Sequence, residues 1–230
     1  MLNYDEKAIE DNIQYVFKNK DYLKQAFSHS SFINEMKQKG MESYERLEFL
    51  GDAVLEMITS EYLYENYKNL PEGKLTKLRA SIVCEFTLSS VSKELQFGDY
   101  VLLSRGEELT GGRTRNSILC DLFEALLGAI YLDGGIEPAR KFVYQFLLTD
   151  IENKSLFYDA KTTLQETVQK NGKGVVTYHL LKEDGPDHNK SFLTQVLVDG
   201  VPFATGEGSS KKNAEQMAAY KAILLLKGNE

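Results

Sequence analysis

The sequence is poor in the residues that build soft-metal sites and disulfides. It contains two cysteines, Cys84 and Cys120, and its three histidines are dispersed along the chain as His29, His179 and His188. Because neither residue type shows the spacing of a zinc site, we predict no zinc centre and two free thiols in a reducing cytoplasm.

Long apolar runs are also absent. No stretch of about 18 apolar residues occurs, so no transmembrane span is predicted. The N-terminal residues MLNYDEKAIEDN are acidic and lack the apolar core of a secretory signal. We therefore expect a protein of the cytoplasm with no membrane partner.

Positive charge is scarce as well, and it is unevenly distributed. The chain has 27 Lys and Arg against 34 Asp and Glu, a formal net charge of −7. Residues 155–230 hold nine Lys, no Arg and nine acidic residues, so the whole net negative charge lies in the first 154 residues. A field of this sign does not attract a polyanion, and any nucleic-acid contact must therefore come from local basic patches.

Hydrophobic periodicity changes near residue 150. Residues 1–149 have the apolar spacing of helices throughout, and the polar stretch 150–157 indicates a linker. In residues 158–227, helix-like segments flank alternating segments and the turn signal Asp199-Gly200, which predicts the order α-β-β-β-α. The predicted fold class is an all-α N-terminal domain joined by a linker to a small α+β domain. The predicted segments of the second domain are helix 161–169, strands 175–181, 191–198 and 203–205, and helix 210–226.

Two apolar helix-like segments carry acidic residues where a core helix should have none. In ERLEFLGDAVL, Glu45, Glu48 and Asp52 are spaced i, i+3 and i+7, which places them within roughly 60° of one another on one helical face. In ILCDLFEALLGAIYL, Asp121 and Glu124 are the only charged residues. Because a buried carboxylate is costly unless it is paired or bound to metal, the five acids predict a hard-cation site.

Clustered carboxylates suit Mg²⁺, which prefers oxygen ligands and keeps several waters. Two such ions roughly 3.5–4 Å apart can activate a water and stabilise the leaving oxygen in phosphodiester hydrolysis. Ion pairs or helix caps are the alternative, and they are the commoner role of a single acid on a helix. Five acids on two apolar helices favour the metal site. Glu56, one turn after Asp52, is expected to face solvent.

The segments ERLEFLGDAVL and DLFEALLGAIYLDGG resemble the signature pair of the ribonuclease III family. The match is long, although Tyr44 stands before Glu45 where the family often has asparagine or another small polar residue. Glu72 in LPEGKL matches an acid near the family's site, but a loop glutamate is usually solvated and its role stays open. The resemblance implies an acidic metal cluster of Glu45, Glu48, Asp52, Asp121 and Glu124.

The same resemblance implies an activity and an assembly. The expected reaction is Mg²⁺-dependent hydrolysis of double-stranded RNA, with Mn²⁺ as a possible substitute and no small-molecule cofactor. Its products carry 5′-phosphate and 3′-hydroxyl ends. Asp52 and Glu124 are the implied catalytic residues. The family acts as a homodimer, and Phe49 matches its interface aromatic, whereas the sequence alone would make Phe49 a core residue.

The loop SRGEELTGGRTR combines glycines with arginines. Glycines let backbone N–H groups approach a phosphate, and arginine binds phosphate bidentately. Spacing alone does not separate this interpretation from an ordinary polar loop. The resemblance favours RNA contact, by Arg113 and Arg115.

The C-terminal segment, residues 158–227, resembles a double-stranded RNA-binding domain. Neutral polar groups on its first helix suit the 2′-hydroxyls of the minor groove, and lysines at the start of its last helix suit phosphates. The net charge of residues 155–230, which is zero, is lower than the positive charge usual for a nucleic-acid-binding domain. The predicted RNA-binding residues are Thr162, Gln165, Glu166, Gln169, the hairpin residue His188, Ser210, Lys211 and Lys212.

The sequence thus predicts a ribonuclease III endonuclease domain in residues 1–149, a linker, and an RNA-binding domain in residues 158–227. The expected role is RNA processing, of ribosomal precursors and some messengers. The alternative is a non-catalytic scaffold that binds double-stranded RNA and need not keep its metal ligands. All five acids are present, which weighs against the scaffold. A DNA nuclease is disfavoured by the module for 2′-hydroxyls.

Overall fold

The computed structural model describes residues 4–36, 40–170, 174–185 and 190–227. The chain divides between Ile151 and Glu152 into two compact units. No helix within these described ranges is both long and apolar enough to cross a membrane.

The N-terminal unit is helical, as predicted. Its one bridge between extended segments in the described residues joins Ser28 to Leu102. A short 3₁₀ turn, Gly112–Thr114, precedes the ninth helix. The α-helices are α1 Glu6–Ile13, α2 Lys20–Ala26, α3 Ser30–Met36, α4 Glu45–Asn66, α5 Glu72–Ile82, α6 Glu85–Glu94, α7 Phe97–Tyr100, α8 Arg105–Leu109, α9 Asn116–Gly134 and α10 Ile136–Phe146.

Helix α9 is the centre of this unit. Its side chains Leu122, Phe123, Leu126 and Ile130 are fully buried. Burying one such side chain stabilises the fold by roughly 1.5–3 kcal/mol, so the apolar run that surrounds the acids also anchors the helix. The ring of Phe142 from α10 packs against the ring of Phe123 in the core, with centroids 5.1 Å apart.

Helices α4 and α9 approach each other unusually closely, and two glycines make this possible. A Cβ atom added to Gly51 would lie 1.8 Å from the carbonyl oxygen of Glu124, and one added to Gly128 would lie 2.3 Å from that of Leu47. Both distances are shorter than any real contact of a Cβ atom. The glycines of FLGDAV and ALLGAI therefore bring the two acidic segments side by side.

The polar stretch interpreted as a linker is helical in the structure, as α11 Ile151–Tyr158. It contains neither glycine nor proline to interrupt a helix. Ile151 is buried in the core of the N-terminal unit, and Phe157 is buried beside Tyr220 in the C-terminal unit. The side-chain amide of Gln216 donates to the carbonyl oxygens of Phe157 and Tyr158, at 2.7 and 2.5 Å.

The C-terminal unit has the predicted order α-β-β-β-α. Its antiparallel sheet has the strand order β1-β2-β3, and the turn Asp199-Gly200 has the positive φ angles that the sequence signal requires. Strand β3 is longer than predicted, because its pairing with β2 continues to Gly208. Apolar residues of both helices and of β2 form the core. The elements are α12 Ala160–Lys170, β1 Val176–Asp184, β2 Ser191–Val198, β3 Val201–Gly208 and α13 Lys211–Lys227.

Candidate functional site

The pairing of α4 with α9 brings the predicted acids into one cluster. The negative charges of Asp52, Glu48 and Asp121 raise the pKa of Glu124. The charge of Glu45 contributes to the raised pKa of Glu48. Glu48, Asp121 and Glu124 are half-buried, whereas Glu45 and Asp52 are exposed at the rim. The five carboxylates, three from α4 and two from α9, are therefore coupled through their charges, and we call them the acidic cluster.

Like charges and burial make the acidic cluster unfavourable without a cation. Burial, together with Asp52, Glu48 and Asp121, raises the pKa of Glu124 to about 8. Burial and the neighbouring acids raise the pKa of Glu48 to about 7. Burial also raises the pKa of Asp121. In the described part of the chain, no lysine or arginine forms an ion pair with any of the five acids.

The donor set fits a divalent cation. Ligand atoms of Cys120, Asp121 and Glu124 lie within 4.8 Å of one another. Burial and the carboxylates of Glu124 and Asp121 raise the pKa of the Cys120 thiol far above its usual range, which disfavours the thiolate as a ligand. The oxygen donors that remain are those of a hard cation. The sequence predicted Cys120 only as a free thiol, although its i, i+4 spacing to Glu124 indicates that the two side chains are close.

Two neighbouring acids lie outside the acidic cluster. Glu56 forms an ion pair with Arg79 at 2.7 Å. The sequence predicted a solvent-facing acid and did not predict this partner. Glu72 is exposed in the first turn of α5 and accepts a hydrogen bond of 2.9 Å from the Thr76 hydroxyl. Neither contact involves the five clustered acids.

Tyr44 is a member of the site that sequence reasoning did not assign. Its side chain is 2% exposed, and its hydroxyl donates a hydrogen bond of 3.2 Å to Oδ2 of Asp121. The spacing between the two residues gives no local signal, because the bond joins the start of α4 to α9. Only the packing of these helices brings them together.

Phe49 lies on the surface of α4 and not in the core. Its side chain is 81% exposed. It borders a groove that Tyr22, Leu50 and Leu132 also line. A large aromatic left in water at such a groove is typical of a protein interface.

The two loop arginines make contacts inside the protein. Arg113 binds the carboxylate of Glu108 at 2.5 Å, and it donates to the carbonyl oxygens of Gly98 and Val101 at 2.8 and 3.0 Å. Arg115 forms an ion pair with Glu107. These contacts give both residues a structural role that spacing could not reveal. RNA contact by either arginine stays a prediction.

The predicted RNA-binding residues of the C-terminal unit lie at two places. Thr162, Glu166 and Gln169 are exposed on α12, and Gln165 on the same helix is half-buried. At the start of α13, the Ser210 hydroxyl accepts a hydrogen bond of 3.2 Å from the backbone N–H of Asn213. Lys211 and Lys212 are exposed beside it, and Lys211 lies 3.8 Å from Glu183. His188 lies outside the described residues.

Comparison with known proteins agrees with both units. The family described as Ribonuclease-III-like matches residues 19–151, and the double-stranded RNA binding motif matches residues 160–226. Ribonuclease 3 of Shouchella clausii is 49% identical over 216 residues, which cover 93% of this chain and 83% of that protein. Ribonuclease 3 of Anoxybacillus flavithermus is 48% identical, with coverage of 96% and 94%.

Solved structures agree for the N-terminal unit. The nuclease domain of ribonuclease III from Campylobacter jejuni superposes with a TM-score of 0.58 at 39% identity. The match covers 62% of this chain and 95% of that domain. The helical unit and the RNA-binding motif that follows both agree with these relatives, and the chain belongs to the ribonuclease III family.

Proposed function

We propose that this protein is an endoribonuclease that cleaves double-stranded RNA by Mg²⁺-dependent hydrolysis and leaves 5′-phosphate and 3′-hydroxyl ends. The family membership and the RNA-binding motif carry the enzyme class and the substrate. The observation that supports the metal dependence is the acidic cluster, in which five carboxylates gather without a basic partner in the described residues. Mn²⁺ has the same preference for oxygen ligands and is expected to substitute.

Four carboxylates, those of Glu48, Asp52, Asp121 and Glu124, would hold the cation. Glu45 lies at the start of α4, where it adds negative charge and can bind through water. A bound divalent cation activates a water molecule and stabilises the charge on the leaving oxygen. Asp52 and Glu124 are the proposed catalytic residues, as the resemblance implies; they lie on facing helices, and the charge of Asp52 helps to raise the pKa of Glu124.

The C-terminal unit supplies the recognition of the duplex. The polar face of α12 suits 2′-hydroxyls in the shallow minor groove, which distinguishes RNA from DNA. Lys211 and Lys212 stand at the N-terminus of α13, where backbone N–H groups and the helix dipole also favour phosphate. Modules of this kind read the shape of about 16 base pairs, so we expect little sequence preference.

The active form is proposed to be a homodimer. The Campylobacter jejuni nuclease domain has a region involved in dimer formation. In this chain the exposed Phe49 and the groove beside it provide an apolar surface next to the acidic cluster. We further propose action in the cytoplasm on ribosomal precursors and some messengers, as the resemblance implies.

Incubation of the full chain with an RNA duplex and Mg²⁺, followed by mapping of both ends, tests the proposal. We expect cleavage with 5′-phosphate and 3′-hydroxyl ends, and no cleavage of a DNA duplex of the same sequence. Binding of the RNA duplex without cleavage in Mg²⁺ or Mn²⁺ would instead favour the non-catalytic scaffold. Cleavage that persists in EDTA would contradict the role of the metal.

A further inference from the structure

The hydroxyl of Tyr44 is directed at the acidic cluster. Tyr44 is the residue that precedes α4, yet its side chain makes no capping bond to that helix. Its hydroxyl instead donates to Oδ2 of Asp121 on α9 at 3.2 Å. Because Tyr44 is 2% exposed, little water can compete for its hydroxyl.

The fold fixes the position of the Tyr44 ring from one side. The backbone N–H of Tyr44 donates to the carbonyl oxygen of Ser28 at 2.9 Å. The ring meets the imidazole of His29 edge-on, with centroids 5.6 Å apart. The imidazole is itself held, since its Nδ1 accepts a hydrogen bond of 3.1 Å from the backbone N–H of Ser31. The segment between α2 and α3 therefore holds the ring that reaches Asp121.

We infer that Tyr44 is a positioning residue, whose hydroxyl orients the carboxylate of Asp121 for a divalent cation. One carboxylate oxygen accepts the phenolic hydrogen bond, which leaves the other oxygen for the metal. A ligand that is already oriented loses less freedom when the cation binds, and loss of such a supporting bond typically lowers metal affinity by about 10–100-fold. The inference rests on the metal site of the proposed function.

Replacement of Tyr44 by phenylalanine separates this role from a packing role. Phenylalanine keeps the buried ring and its contact with His29, and it removes only the hydroxyl. A residue that merely fills volume would tolerate the change without effect on the cation. Tyr15 offers a matched control, because its hydroxyl donates to Oδ2 of Asp133 at 2.6 Å, away from the acidic cluster.

Titration of the full chain with Mn²⁺, followed by electron paramagnetic resonance, measures the affinity without RNA or turnover. We expect Tyr44→Phe to bind Mn²⁺ about 10–100-fold more weakly than the wild type. Tyr15→Phe should bind it with wild-type affinity. Equal affinity of Tyr44→Phe and wild type would overturn the inference and leave the proposed function intact. A wild type that binds no Mn²⁺ would overturn both.

Thermal denaturation with and without Mn²⁺ separates cation binding from a loss of fold stability in Tyr44→Phe. The midpoint in EDTA reports the fold, whereas the rise on addition of Mn²⁺ reports the affinity for the cation. We expect a smaller rise for Tyr44→Phe than for the wild type or Tyr15→Phe. An equal rise would contradict the inference, whatever the midpoint in EDTA.

Discussion

The acidic cluster and the C-terminal unit differ in whether their acidic side chains form ion pairs. In the C-terminal unit several acids have basic partners, as in the ion pair of Lys161 with Glu215 and the 2.5 Å pair of Lys182 with Asp184. In the acidic cluster five carboxylates gather on α4 and α9, and no described lysine or arginine pairs with them. The ion pairs neutralise their own charges, whereas the crowded carboxylates need protons or a cation to offset their repulsion.

This contrast explains why the negative net charge of the chain is a poor guide to whether it binds a nucleic acid. The whole net charge of −7 lies in the first 154 residues, which include the proposed metal site. A divalent cation held by the acidic cluster would offset part of this charge. The C-terminal unit, with zero net charge, needs only a local concentration of lysine at the start of α13 to meet the backbone of the duplex.

The largest expected effect is the loss of cleavage in Glu124→Gln. The change removes one charge and one ligand from the acidic cluster while it keeps the shape of the side chain. A cation supplies several kcal/mol to the transition state, and each 1.4 kcal/mol is a factor of ten, so we expect roughly a 10³-fold fall in kcat. Single-turnover cleavage of an RNA duplex in Mg²⁺ measures it.

Glu56→Gln is the matched control for this change. Glu56 is an acid on the same helix, but its partner is Arg79 and it lies outside the acidic cluster. We expect kcat within a few-fold of the wild type. Equal losses in Glu124→Gln and Glu56→Gln would contradict the distinction between crowded and paired acids.

Gly51→Ala should break the contact that creates the acidic cluster. The added Cβ would lie 1.8 Å from the carbonyl oxygen of Glu124, so α4 and α9 must separate. Overpacking of a core typically costs about 1–3 kcal/mol, and backbone overlap places this change at or above the upper end. Thermal denaturation measures the loss. Gly73→Ala, with open space around its Cβ, is the control, and equal midpoints for both variants would contradict the account.

A double change at the start of α13, Lys211→Ala with Lys212→Ala, should weaken binding without slowing the chemistry. Loss of two phosphate contacts lowers the salt dependence of the affinity by about two units of slope and the affinity itself by roughly tenfold. Binding assays at several salt concentrations measure both. Lys221→Ala with Lys227→Ala, on the same helix, is the charge-matched control. An identical effect of the two pairs would mean that general charge, and not this helix start, binds the duplex.

The smallest expected effect is a decline in the stability of the metal-free protein as pH rises. The pKa values of Glu48 and Glu124 are about 7 and about 8 in the folded state, above the usual value near 4.5. Between about pH 4.5 and pH 8 the folded protein therefore holds protons that the unfolded chain has released, and the free energy of unfolding falls. Thermal midpoints in EDTA should fall across this range, and less steeply in Glu124→Gln. Parallel curves would contradict the crowding of these acids.

The sequence predicted the parts of the site that depend on local periodicity. The helical spacing of Glu45, Glu48 and Asp52, and the apolar surroundings of Asp121 and Glu124, were sufficient to predict one acidic cluster on two helices. Alternating residues and turn signals likewise predicted the second domain. In each case the signal lies within one element, where the period of the backbone decides which side chains share a face.

The contacts that join distant elements could not be predicted in this way. The bond of Tyr44 to Asp121 spans α4 and α9, and the internal contacts of Arg113 reach the loop around Gly98. The helix at Ile151–Tyr158 contains Ile151 and Phe157, whose burial was not predicted from spacing alone. Each of these features requires knowledge of what packs beside the residue, which spacing does not contain.

Direct measurement of cation binding tests the central claim, that the acidic cluster is a divalent-metal site. Isothermal titration of the wild type, Glu124→Gln and Glu56→Gln with Mn²⁺ suffices. The account predicts binding by the wild type and Glu56→Gln, and strongly weakened binding by Glu124→Gln. Equal Mn²⁺ affinity in all three proteins would contradict it.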